Sequence, residues 1–251
     1  LTQKNIMMRT NSKYDNIHKA WMYRALKAIA SDPYLASVLY FKGGTCASML
    51  GWLDRFSVDL DFDYGGRLED VQKTRDSLEI IFADLNLSIK DRSKNGIQYF
   101  LKYANYKEDE NIARNTLKID AAFPFFISSK YAPQRLLEID SVFICQTRET
   151  MFSHKLCALM DRFQKTGHLA GRDLYDIHYF LMNGYNYDSA IIAERTNLSP
   201  PNFFAELISF IEKNVTEQVI TEDLSALLEP QKFKVLRKTL KREVIQLLKE
   251  Q

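Results

Sequence analysis

No stretch of this chain approaches the roughly 18 apolar residues that a transmembrane helix needs, and its first residues lack the apolar core of a signal peptide. Cysteine is scarce: Cys46, Cys145 and Cys157 are odd in number and scattered, without the paired spacing of a zinc site or a disulfide framework. Both absences predict a protein of the reducing cytoplasm with no membrane segment. Charge of one sign is not in excess either. The formal net charge of +2 is too small to imply a nucleic-acid partner by itself. Also missing are the G-x-x-x-x-G-K-[ST] loop, a G-x-G-x-x-G loop after a strand, the G-x-S-x-G elbow and the H-E-x-x-H pair, which disfavours P-loop ATPase, dehydrogenase, hydrolase and zinc-protease chemistry. What remains is 251 residues of ordinary composition, 46% apolar, enough to build one large domain or two small ones.

The informative stretch is 41–63. Gly43 and Gly44 end an apolar run, Val38 to Phe41, and precede a helix-like segment, Thr45 to Leu53. Bare backbone N–H groups at a helix start are a favourable place for an anion. Further on, Asp59, Asp61 and Asp63 alternate with Leu60 and Phe62. In a strand of period two this puts the three carboxylates on one face and the apolar pair on the other. Residues i and i+2 of a strand lie about 6.6 Å apart, so Asp59 and Asp61 are spaced to share divalent metal, Mg²⁺ or Mn²⁺. Three acids alone read more simply as a solvated strand edge. Strand, glycine pair, helix and acid strand in succession are harder to attribute to solubility.

Around this stretch the pattern predicts a helix over 15–30, a strand over 38–42, a helix over 68–85, and strands over 87–90, 97–104 and 116–123. Asp120 stands alone on the last of these among apolar neighbours. From Arg148 onward strand signals fade, and helices are expected over 148–164, 172–182, 188–196, 201–213, 217–228 and 231–250, broken at Gly167, Gly184 and Pro200-Pro201. The expected fold is α+β: a mixed sheet with flanking helices in a domain of residues 1–147, then a helical bundle of 148–251 that completes a cleft.

The string Lys42-Gly43-Gly44-Thr45 followed by Arg55-Phe56-Ser57-x-Asp59-Leu60-Asp61-Phe62 resembles the first motif of the AbiEii-type nucleotidyltransferase-like toxins, within the polymerase-beta-like nucleotidyltransferase superfamily. A second string, Lys155-Leu156-x-Ala158-Leu159-x-Asp161-Arg162 and then Arg172-Asp173-Leu174-Tyr175-Asp176, resembles that family's lysine-bearing helix and Arg-Asp-Leu-Tyr-Asp segment. The resemblance implies a nucleotidyltransferase-like sheet and transfer of a nucleotidyl group from a nucleoside triphosphate to an acceptor hydroxyl. It implies metal on Asp59 and Asp61, nucleotide contacts from Lys42, Gly43, Gly44, Thr45, Arg55 and Ser57, and catalytic roles for Lys155 and Asp173. Asp120 would be the third acid, a base or ligand near the acceptor. The partners it implies are tRNA or another RNA as acceptor and an antitoxin protein, in a toxin–antitoxin or phage-defence setting.

Simpler readings stand beside these. Asp173 and Asp176 open a helix, where acids commonly cap N–H groups; the roles of Asp63 and Asp176 stay open. Lys232, Lys234, Arg237, Lys238, Lys241 and Arg242 form a basic run that suits an RNA backbone, although such runs are more often solvated. The competing function is a catalytically inactive module of the same fold that binds RNA or a protein partner.

Overall fold

The computed structural model describes residues 13–103, 115–225 and 227–251. Helix α1, Lys13–Ser31, buries Met22, Leu26 and Ile29 along one stripe. Its lone histidine is structural: the Nε2 atom of His18 bonds the carbonyl of Val58 at 2.7 Å. Asp32-Pro33, expected to stop a helix, also starts one. The Asp32 carboxylate accepts from the N–H of Leu35 at 2.9 Å, and Pro33 occupies the first turn of α2, Pro33–Val38. A proline is tolerated there because its missing N–H would have no partner in any case.

Strand β1 is therefore only Leu39–Lys42, and α3, Gly43–Met49, begins directly at the glycine pair. Next come β2, Asp59–Tyr64, and α4, Val71–Asp84, entered through a short 3₁₀ turn. They are followed by β3, Leu87–Arg92, β4, Ile97–Tyr103, and β5, Thr116–Ala122. Ala104, the expected last residue of β4, lies outside the described residues. Two further strands, β6, Tyr131–Leu136, and β7, Ser141–Gln146, fill a region to which the sequence pattern assigned nothing. β6 contains Pro133 and lies at a sheet edge, where a missing N–H costs least.

The seven strands form one mixed sheet in the order β3-β4-β5-β2-β1-β7-β6. β2 runs parallel to β5 and β1 parallel to β7, and the other neighbours are antiparallel. One face carries Phe41, Phe62 and Phe143, whose ring centroids lie 5.4 to 6.1 Å apart, and α1 and α4 pack against the sheet. Full burial of each such ring contributes on the order of 2–3 kcal/mol. The opposite face carries the acids of β2.

The helical half follows at once. Thr147 caps α5, Arg148–Thr166, which ends at Gly167 in the left-handed conformation, φ +69°. After it come α6, Gly171–Met182, α7, Ser189–Thr196, and α8, Pro200–Asn214. The chain closes with α9, Glu217–Leu224, and α10, Pro230–Leu248. The helix expected over 217–228 is shorter than the pattern suggested, and residue 226 lies outside the described residues. One contiguous apolar core runs from Leu26 and Phe62 under the sheet to Phe152, Phe180 and Leu207 in the helices. Among the described residues no helix is long and apolar enough to cross a membrane.

Candidate active site

Period two brings Asp59, Asp61 and Asp63 to the face opposite Leu60 and Phe62, and there their surroundings diverge. Asp63 is buried and saturated. Lys42 Nζ donates to its Oδ1 at 2.5 Å, while Tyr131 Oη and Gln146 Nε2 donate to Oδ2 at 2.8 and 2.6 Å. Asp63 thus ties β1, β6 and β7 to β2, and Lys42, expected at the nucleotide, is held as its counter-ion at the cleft wall. Asp61 stands in register with Lys42 on β1 and with Asp120 on β5. Its carboxyl is pushed above the usual range, first by burial and then by the neighbouring Asp59 and Asp120 carboxylates, with Lys118 and Lys42 opposing. Asp120 Oδ2 accepts from Lys118 Nζ at 2.6 Å and from Gln98 Nε2 at 3.0 Å. The third acid is therefore beside the pair, on the neighbouring strand and compensated by a lysine.

The two glycines do different work. Gly43 has φ +79°, and a Cβ built on it would stand 2.6 Å from Asp61 Oδ2. At Gly44 a Cβ would meet Ser57 Oγ at 2.8 Å and Arg55 Nη2 at 3.2 Å, so this glycine admits the 55–57 turn against α3. Of the glycine pair, Gly43 takes the left-handed conformation and Gly44 does not. Thr45 is turned into the fold: its hydroxyl donates to the carbonyl of Asp59 at 2.6 Å, which takes that side chain away from the cleft. Gly43→Ala is expected to lower the melting temperature by roughly 2–8 °C, from about 1–2 kcal/mol of left-handed backbone strain, and to displace Asp61. Gly51→Ala is the control. It carries the same kind of strain at φ +70° in open space, so a transfer assay on both variants isolates the contact with Asp61.

α5 and α6 bring cations over the acid face. Asp176 is wholly buried and receives Arg55 in a fork, Nε to Oδ1 at 2.5 Å and Nη2 to Oδ2 at 2.7 Å, together with Lys155 Nζ at 2.7 Å. Burial alone would raise this carboxyl, but the Lys155 and Arg55 cations outweigh it and hold it below the usual carboxylate range. Asp173, also buried, accepts from Arg162 Nε at 2.8 Å. Asp173, to which the resemblance gave a catalytic role, orients an arginine on the opposite wall, and the acid left open, Asp176, fixes both Arg55 and Lys155.

The space between the halves is a cleft in two parts. The larger, about 360 Å³, is lined on one side by Lys42, Asp61, Asp63 and Gln146 and on the other by Lys155, Ala158 and Arg195. The narrower, about 120 Å³, is lined by Gly44, Ser57, Asp59, Arg55, Arg162 and Arg172. Gly43, Asp61, Lys155, Arg162 and Asp173 line both. The sequence-predicted site residues are thus gathered in one place, apart from the Thr45 hydroxyl and Asp120, which lie outside the lining.

Several lining groups carried no sequence signal strong enough to select them. Arg162 and Arg172 sit inside the second string but were not singled out, and His154 and Arg195 belong to no motif. His154 is held neutral, its pKa pushed down to about 4 by burial first and then by Arg195. Arg195 Nη1 donates to His154 Nδ1 at 2.9 Å, which leaves Nε2 to carry the proton toward Ser129 Oγ at 3.0 Å. A histidine that takes a proton near pH 6.5 when unfolded but only near 4 when folded costs stability as pH falls between those values. His154→Gln is therefore expected to flatten that part of the stability curve, as read by urea unfolding at pH 7, 5.5 and 4.5.

Half of the basic run of α10 is tied into the fold. Lys241 donates to the carbonyls of Glu212 and Val215 at 2.9 and 2.8 Å, closing the end of α8, Arg237 faces Glu217 at 3.8 Å, and Lys232 bonds Asp54. Lys234, Lys238 and Arg242 are left for solvent.

A mixed sheet thus carries an acid pair beside a glycine-initiated helix and is closed by a lysine-bearing helix. Solved structures share the fold. JHP933 from Helicobacter pylori superposes with a TM-score of 0.53 at 18% identity, covering 95% of each chain. MenT4, a nucleotidyltransferase toxin from Mycobacterium tuberculosis, gives a TM-score of 0.55 at 14% identity, covering 97% of this chain and 86% of its own. The family model described as nucleotidyl transferase AbiEii toxin, type IV toxin–antitoxin system, matches residues 24–245, and the chain belongs to this family. No curated protein sequence matches it significantly.

Proposed function

We propose that this nucleotidyltransferase moves a nucleotidyl group from a nucleoside triphosphate to a hydroxyl of an RNA, tRNA being the first candidate, in a Mg²⁺-dependent reaction. The observation that carries the reading is the cleft that sets Asp59 and Asp61 against Lys155, Arg162 and Arg172. Among the described residues no three His, Cys, Asp or Glu side chains converge as a metal cage. Mg²⁺ does not need one, since it commonly takes one or two carboxylates and completes its shell with water and substrate phosphates. The chemistry of the donor set fits: Asp59 and Asp61 offer hard oxygen donors, and the Asp61 carboxyl, raised first by burial and then by its acid neighbours, is one whose ionised form a divalent cation would favour. When bound, the ion would neutralise charge on the phosphates and polarise the reacting phosphorus.

The chain's own groups have separate tasks. Gly43, Gly44 and Ser57 border the narrow part, where the triphosphate would lie, and Arg162 and Arg172 bring positive charge to it. Lys155, positioned by Asp176, would face the charge that builds on the phosphates. The acceptor oxygen would bond to the α-phosphorus as the bond to pyrophosphate breaks, and Asp120, in register with Asp61 but outside the lining of the cleft, would receive the acceptor's proton. Membership of a type IV toxin–antitoxin family implies a cognate antitoxin, and the three buried free cysteines suit a reducing cytoplasm. Family membership and the intact acid pair favour this reading over an inactive module.

The test is incubation with each α-labelled triphosphate, Mg²⁺ and total RNA. Label should enter RNA, most of it in the tRNA band, and should fail to do so with chelator. Label that enters no RNA with any triphosphate, from folded protein, would overturn the reading.

A further inference from the structure

Most cations around the cleft pair with a carboxylate outside the acid pair: Lys42 with Asp63, Lys155 and Arg55 with Asp176, and Arg162 with Asp173. Lys118 is different. Period two on β5 sends Lys118 and Asp120 to the same face, with Leu117, Ile119 and Ala121 buried on the other. The parallel register with β2 then sets Lys118 beside Asp59 and Asp120 beside Asp61. Three carboxylates and one ammonium therefore share one patch of the sheet.

The Lys118 side chain is turned into this patch, where its Nζ donates to Asp120 Oδ2 at 2.6 Å. From the other side Gln98, the register partner of Asp120 on β4, donates to the same oxygen at 3.0 Å. Burial alone would lower the Lys118 ammonium. The hydrogen bond to Asp120 and the charges of Asp120, Asp61 and Asp59 outweigh it and hold the group above the usual lysine range. Neither Lys118 nor Asp120 lines the cleft, so the lysine acts on an ion at Asp59 and Asp61 through its charge and not by filling the ion's place. Three carboxylates and one ammonium leave two negative charges, which a single divalent ion balances with the lysine still present. An ammonium one or two strand spacings from that ion nevertheless repels it, and even at the dielectric of water this is worth about tenfold in affinity.

Resting on the metal assignment above, we propose that Lys118 is the built-in counter-ion of Asp59, Asp61 and Asp120, a positioning residue that holds these acids together in the metal-free protein and weakens their hold on a divalent ion. Removing Lys118 then acts in two directions. The metal-free fold loses a cation among three carboxylates and melts at a lower temperature, while a divalent ion gains affinity. A lysine that served only the sheet would give the first effect without the second.

Mn²⁺ is the probe, titrated into the whole protein without nucleotide and followed by the electron paramagnetic resonance signal of the free ion. Lys118→Met should bind Mn²⁺ about tenfold tighter than the unaltered protein. Lys118→Arg, which keeps the charge, should bind it as the unaltered protein does. Adding Asp61→Asn to Lys118→Met should abolish the gain, since the ion sits at the acid pair. Lys118→Gln repeats the test if Lys118→Met fails to fold, because a side chain 28% exposed leaves room for a neutral polar group. Unaltered protein that binds Mn²⁺ as tightly as the folded neutral variants would overturn the counter-ion role and leave the metal assignment standing. So would an equal gain in Lys118→Arg, or a gain that survives Asp61→Asn. Failure of the unaltered protein and of every Lys118 variant to bind Mn²⁺ would overturn the metal assignment as well.

Discussion

Asp61→Asn is expected to lower nucleotidyl transfer by about three orders of magnitude, because positioning a divalent ion supplies several kcal/mol of transition-state stabilisation. The same variant should melt at a higher temperature than the unaltered protein when no divalent ion is added. The Asp61 carboxyl is raised in the fold by burial and by Asp59 and Asp120, so its ionised form is disfavoured there. Such a group supports the fold fully below its unfolded pKa and loses that support as pH rises through its folded value. At pH 7 the cost is present, and the amide removes it. Adding Mg²⁺ should stabilise the unaltered protein and stabilise Asp61→Asn less. Melting curves with and without Mg²⁺, beside a labelled-transfer assay, read both effects. Undiminished turnover in the folded variant would remove Asp61 from the metal site.

Asp176→Asn should act in the opposite way, through stability. The carboxylate is wholly buried and neutralises an almost fully buried Arg55 as well as Lys155. Removing one member of a buried ionic set strands its partners, at a cost of about 3–5 kcal/mol. For a chain of this length that is a fall in melting temperature of roughly 6–20 °C. Pairing Asp176→Leu with Arg55→Met should recover part of the loss, since an apolar replacement strands only Lys155. The Asp176 carboxyl is depressed, so its contribution is present above the unfolded value of 3.8 and disappears as pH falls through the lower folded value. Acid unfolding below about pH 4 should therefore be shallower in Asp176→Asn. Equal stability of the variant at pH 7 would show that water, not the carboxylate, compensates Arg55.

Much of this molecule was legible residue by residue. Alternation alone places Asp59 and Asp61 opposite Leu60 and Phe62, because side chains in a strand must alternate whatever packs on them. The helices of the second half begin and end close to their expected positions because Thr147, Gly167 and Pro200 act within one turn of their own backbone. β6 was not legible, since an edge strand carrying Pro133 and Arg135 is half exposed on both sides and shows no alternation.

The chain's own order of residues determined the acid pair, the glycine turn and the passage from sheet to helices, all set by forces that span a few residues. Only the tertiary structure decided which acid does what. Asp61 stays open to the cleft while Asp63, two residues on, is closed by Tyr131 and Gln146, and Arg55 finds its counter-charge on Asp176 rather than in solvent. Charge pairing depends on distance in space and on burial, and both are set when the sheet and the helices close on each other.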